Sequence, residues 1–270
     1  MNKFTNFWRR HWIDVLVILA VAAGFIALFA EIFVKFKFSV KLNVFYNYFI
    51  VNEGYKDLLD GMKNTAIIAV LGLVFGIVLG TIIAVVKVIP STSRIARYAK
   101  KVVAVYVAFF RGTPLVVQLL VGFYILFPLL SMKVPPVVAC VTIFSLNSAA
   151  YISEIMRSGI QSVDPGQLEA ARAVGLPYGI SMLKVVVPQA VKNILPTLGN
   201  EFIALVKETA VVGYVGALDI TTFFQYQGAN TYEYMIPYLV MAVLYIVIVA
   251  LIAWGVRVME RSLRKNERSK

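Results

Sequence analysis

Residues 65–86 read TAIIAVLGLVFGIVLGTIIAVV, a run of apolar and small side chains without a single charge. At about 1.5 Å of rise per residue, a helix of that length crosses the roughly 30 Å hydrocarbon core of a bilayer. Lipid offers no partner for backbone N–H and C=O groups, so a spanning segment of this kind must be helical. Gly72, Gly76 and Gly80 recur every four residues and leave one face of that helix bare, where a second backbone can approach closely.

Outward from this stretch, further apolar runs cover 13–34, 102–130, 136–155 and 235–258. A weaker one, about 190–209, is interrupted by Lys192, Asn193, Asn200, Glu201, Lys207 and Glu208. The pattern predicts an all-α, polytopic membrane bundle of about six transmembrane helices. The first run follows Arg9 and Arg10 in the manner of a signal peptide. It is too long for such a peptide's apolar region and has no small-residue cleavage site, so it reads as a retained anchor.

Composition agrees, since 60% of the 270 residues are hydrophobic, more than one soluble core of this size would bury. The net charge of +12 would suggest nucleic acid in a soluble protein. Here the basic residues cluster between and after the apolar runs, which reads as topology and not as nucleic-acid binding. One cysteine, Cys140, and one histidine, His11, leave neither a disulfide framework nor a His-based metal site, and no Ser-His-Asp triad. Nor is there a GK[ST] phosphate loop, HExxH or GxSxG, so no enzyme chemistry is expected of the chain itself.

The loop between the second and third runs is rich in Lys and Arg, as are 157–184 and 257–270. The positive-inside rule then places both termini in the cytoplasm. Lys35, Lys37, Lys41, Lys56 and Lys63 argue against this mildly, and Phe45, Tyr46, Tyr48 and Phe49 beside them suggest a surface-lying elbow helix. Three divisions follow: 1–57 as an extra helix and elbow, 58–260 as the main transmembrane domain, and 261–270 as a basic tail.

One connection carries more chemistry than a linker needs. In 162–188, Asp164 can cap a helix, Pro165 suits its first turn and Gln167 can close a capping box. Gly175 fits a left-handed cap and Pro177 stops continuation, which predicts a rod of about ten residues, some 15 Å long. Within it Glu169 stands beside Ala170 and Ala171, one charge and two small side chains that would let another protein's surface come close.

The order Glu169-Ala170-Ala171, three residues, Gly175, nine residues, then Val185, Val187 and Pro188 resembles the EAA loop of ABC importer permeases. Arg111-Gly112-Thr113-Pro114-Leu115, Ser148 to Glu154, Arg157-Ser158-Gly159-Ile160 and Leu205 to Thr209 look like the polar amino-acid uptake branch of that family. The similarity covers about 58–258, and typical members of the branch have five spans. The resemblance implies a multi-pass permease of the bacterial inner membrane whose Glu169 rod is a coupling helix, received in a groove of a separate ATP-binding subunit. It also implies a substrate-binding protein that delivers a polar amino acid, and a second permease copy, identical or not. ATP and Mg would be bound by the partner ATPase, with no cofactor or metal in this chain.

Ionisable groups inside a span need a partner or a wet cavity. Asn147, Tyr151 and Glu154 share one helix face, as do Asn200 and Lys207, and together they offer donors and acceptors suited to an amino-acid zwitterion. Gly112 and Pro114 break the third run just after Arg111, freeing backbone groups that can bind ions, and Gln118 follows one turn on. Arg111, Gln118, Asn147, Tyr151, Glu154, Asn200 and Glu201 are therefore candidates for the substrate path. The alternative is structural: Arg111 pairs with Glu154 or Glu201 and locks spans together. An ion-coupled secondary transporter would also use buried charges, but gives the Glu169 rod no task.

Overall fold

The computed structural model describes residues 16–17, 19–25, 27, 37–90 and 93–268, with side chains to 263. Most of the run predicted at 13–34 lies outside them. The chain divides into two units, Met1–Glu53 and Gly54–Lys270. In the first, helix α1 (Phe38–Tyr46) continues through a wider turn at Asn47–Val51, and Phe45 stacks on Phe49 with ring centroids 5.4 Å apart. The aromatic elbow is thus helical.

The described residues at 16–17, 19–25 and 27 of the first unit are helical as well, and the second unit holds the elements that follow. Helix α2 (Tyr55–Val88) contains the opening stretch and leads to α3 (Arg94–Gly112). Beyond a break lies α4 (Leu115–Leu129), then α5 (Pro136–Gln161), the short α6 (Pro165–Ala173) and α7 (Tyr178–Ser181). A wide turn, Met182–Val186, feeds α8 (Val187–Glu208), followed by α9 (Ile220–Thr231) and α10 (Met235–Arg268). The fold is an all-α bundle, as its composition predicts.

Among the described residues α2, α5 and α10 are long and apolar enough to cross a membrane, and α3 with α4 would make a fourth crossing. The run at 102–130 is broken where Gly112 and Pro114 were expected to break it, and the two halves are bent by 107°. Its first half starts eight residues before the apolar run, because Ser93 caps it by accepting from the Ala96 N–H at 3.1 Å. Arg94, Arg97, Lys100 and Lys101 ride on that helix rather than in a loop. Helix α8 is helical where the weak run was predicted, but its Lys192, Glu201, Lys207 and Glu208 make it too polar to pass on composition.

The glycine stripe does what its spacing dictates. A Cβ on Gly72 would lie 3.4 Å from that of Phe144; on Gly76, 2.9 Å from that of Ser148; on Gly80, 2.9 Å from the Ile152 side chain. These three partners stand at successive turns of α5, so α2 and α5 mesh along their middle with almost no side chain between them on the α2 side. Phe144 and Ile152 are fully buried by this contact. One core cluster surrounds Ile68, Cys140, Phe144 and Leu205, and a second joins Ile152, Val163, Val186, Ala190 and Ile194 beneath the short helix α6.

Candidate functional site

Helix α3 stops at Gly112, so its last carbonyls have no successor N–H groups to accept from. Two amide side chains from other helices supply the donors. The Gln118 Nε2 group donates to Phe110 O at 2.9 Å, Thr113 O at 3.0 Å and Thr113 Oγ1 at 2.9 Å. Asn147 Nδ2, from α5, donates to Gln118 Oε1 at 2.9 Å and to Phe110 O at 3.3 Å. Both side chains are buried. The structure brings these two sequence candidates together as a brace across the break, with their polar atoms turned into it.

Beside the brace, the Arg111 guanidinium carbon lies 5.4 Å from the Tyr151 ring centroid, a cation-over-ring contact. Arg111 is exposed and Tyr151 is 36% exposed, so this pair presents polar atoms at the surface of the break. The lock proposed between Arg111 and Glu154 or Glu201 is not what forms. Glu154 accepts from Lys87 of α2 and pairs with Arg157 Nη2 at 2.8 Å. Glu201 accepts from the Ser148 hydroxyl at 3.1 Å. The reason is geometric: Glu154 lies one turn from Arg157 on α5 and opposite the end of α2, where Lys87 can reach it. Lys87 is the residue that sequence reasoning missed, because its position at the tail of a span reads as a topology signal.

Asn200 and Lys207 are both exposed, so α8 does show one polar face away from the core. Thr197, a turn before Asn200, and Asn193, a turn before that, extend the face, and the sequence signal for it is their shared helical spacing.

At the far end of α5, helix α6 is the predicted rod. Asp164 caps it by accepting from Gly166 N at 2.8 Å. Gly175 has φ +88°, with Leu176 N donating to Ala171 O and Gly175 N to Arg172 O, the double closure of a left-handed cap. The expected capping box does not close: Gln167 Oε1 accepts from Gln189 of α8 at 3.3 Å instead. Glu169 and Ala170 are exposed, whereas Ala171 is buried, so its small size serves packing on the chain's own bundle and not the approach of a partner. Leu168 packs toward the core cluster beneath, and Asn193 Nδ2 donates to Ser162 Oγ at 2.9 Å. The rod is therefore fixed to both α5 and α8 while its Glu169 edge stays free of the bundle.

An apolar helical bundle with a braced break between α3 and α4 and an exposed rod fixed beneath two helices has the parts of a membrane transporter. Residues 76–265 match the family described as binding-protein-dependent transport system inner membrane component, and the chain belongs to it. It is 39% identical over 210 residues to an arginine transport system permease protein, ArtQ, of Bacillus subtilis, covering 78% of this chain and 94% of that protein. It is 37% identical over 206 residues to a putative glutamine transport system permease protein, GlnP, of Rickettsia bellii, covering 76% and 92%. The crystal structure of an amino acid ABC transporter with histidines contains a chain 37% identical, with a TM-score of 0.72 over 78% of this chain and 96% of that one. The methionine transporter MetNI, at 22% identity and a TM-score of 0.66, shares the fold. The chain is thus a permease subunit of an ABC importer in a bacterial inner membrane, and the ion-coupled alternative finds no support.

Proposed function

We propose that the chain carries a polar amino acid inward by alternating access, with its rod α6 driven by a separate ATPase. The observation that carries this reading is the mounting of α6. Its Glu169 edge is exposed for docking, while Leu168, Gln167 and the Ser162–Asn193 bond tie it to α5 and α8. A push on the rod moves these two helices as one lever. Those helices also carry Tyr151, Glu201 and Asn200, so the same motion reshapes the polar surface around Arg111. Pro196 within α8 lacks the N–H that would close its turn, which gives that helix a place to bend.

On this reading Glu169, Ala170 and Gly175 form the coupling edge and Ala171 its seat. Arg111, Tyr151, Asn200 and Glu201 are the polar groups best placed to meet cargo, Arg111 for a carboxylate and Glu201 for an ammonium. Gln118 and Asn147 hold the broken helix open for them, and Glu154 anchors α5 to α2. The partner ATPase binds and hydrolyses ATP with Mg, a binding protein delivers the cargo, and a second permease completes the path. Both termini are cytoplasmic, on the side of the rod. The names of the relatives point to arginine or glutamine as first cargoes to try.

The test is uptake of labelled amino acids into proteoliposomes holding the chain and its ATPase, with ATP inside. Glu169→Lys should insert and fold normally yet lose ATP-driven uptake. Normal uptake by that variant would refute the role given to the rod.

A further inference from the structure

An apolar groove of about 430 Å³ opens between the end of α2 and the segment that carries the chain from the rod to α8. Val85 and Ile89 line it from the end of α2, Ile160 from α5, and Gly179, Met182 and Leu183 from the segment after the rod. Nothing in the transport reading uses it.

Two observations say what fills it. First, α2 shows a continuous exposed apolar stripe, Leu71, Val74, Val78, Ile82, Val85 and Ile89, on the side away from the glycine stripe. An apolar stripe along a spanning helix is the face that meets lipid tails, and the groove is where its last two residues lie. Leu183, 68% exposed, lines it from the segment after the rod, so the groove is a lateral recess of the lipid-facing surface. Second, the rim is cationic. Lys100 Nζ donates to the carbonyl of Ile89, a residue that lines the groove, at 2.8 Å. Ile89 follows the uncharged apolar run 65–86 by three residues, just beyond the stretch long enough to fill the hydrocarbon core, which puts this rim at the level of phospholipid headgroups.

We propose that the groove binds one acyl chain of an anionic phospholipid whose phosphate lies beside Lys100. Apolar walls recognise the tail and the rim cation selects the headgroup charge. The walls belong to the end of α2 and to the mounting of the rod, so the bound lipid wedges these two parts.

The test is photolabelling of the purified full chain, in nanodiscs of phosphatidylglycerol and phosphatidylcholine, with either lipid bearing a photoreactive acyl chain. The phosphatidylglycerol probe should label peptides around Met182 and Leu183. A Cβ added at Gly179 meets nothing within 4 Å, so Gly179→Leu fills the groove without disturbing the fold. It should cut labelling about tenfold, as loss of two methylene contacts would. Lys100→Gln should cut it about fivefold, the effect of one cation near a charged surface. Equal labelling by phosphatidylcholine in the unaltered chain would overturn the proposal, as would unchanged labelling of Gly179→Leu. So would crosslinking of the groove to residues 1–53 in place of lipid.

Discussion

Gln118 directs its amide nitrogen at three oxygens of the broken α3–α4 junction and its amide oxygen at Asn147. Replacing it by Leu keeps the volume but takes the donor from the half-buried Thr113 carbonyl and the acceptor from the buried Asn147 amide, while Phe110 O keeps Asn147, at a cost of about 1–3 kcal/mol for a buried group left unpaired. Gln118→Leu should therefore lower the melting temperature in detergent, and Gln118→Glu should lower it more, because a carboxylate would face those same carbonyls. If neither variant is destabilised, the brace is not what holds the break. A second residue-scale expectation concerns Glu154, which faces two cations. Lys87→Met leaves it Arg157 and, the pair being partly exposed, should cost only about 1 kcal/mol. Glu154→Lys sets three cations together and should reduce folded yield far more; equal yields would show that the network is idle. Lys87 illustrates what one sequence hides. Its partner lies 67 residues away, and only the α2–α5 packing brings them together. Arg111 is similar: a charge inside an apolar run announces that it needs a partner or water, but Tyr151 and Glu154 sit on one helix face and periodicity does not choose between them.

Elements were legible where backbone chemistry is local. Asp164, Pro165 and Gly175 mark the ends of α6, because a cap and a positive φ are decided within a few residues. The start of α3 was not, since Arg94 to Lys101 give it a basic face that breaks the apolar run used to find spans. The angle at Gly112–Pro114 was equally hidden: the residues announce a break, while the 107° depends on what α3 packs against. The glycine stripe is the clearest local signal with a tertiary consequence. At Gly80 an added Cβ would stand 3.0 Å from the Ala149 carbonyl oxygen, part of a helix backbone that cannot step aside. Gly80→Val should thus separate α2 from α5 at a cost of about 1–3 kcal/mol or more, read as loss of monodisperse protein on gel filtration. At Gly112 an added Cβ meets nothing within 4 Å, so Gly112→Ala should leave folded yield unchanged. Equal losses at both positions would mean that the stripe is not a packing surface.

At the scale of the molecule, the transport machinery and the N-terminal unit separate. The family match begins at residue 76, inside α2, and the second unit begins at Gly54. A relative aligned over 94% of its own length has too few residues left to supply a counterpart to Met1–Glu53. All the groups assigned here to coupling and cargo, from Arg111 to Glu201, lie in the second unit. Among the described residues, both core clusters are built from side chains of the second unit. A chain beginning with an initiator Met before Gly54 should therefore insert, assemble with its ATPase and support ATP-driven uptake within about threefold of the full chain, less than 1 kcal/mol in the rate-limiting barrier. The measurement is uptake by proteoliposomes matched for inserted protein, with docking of the ATPase checked by co-purification. If the shortened chain binds the ATPase but moves no amino acid, the first unit takes part in translocation, and the boundary of the functional permease must be moved toward residue 1.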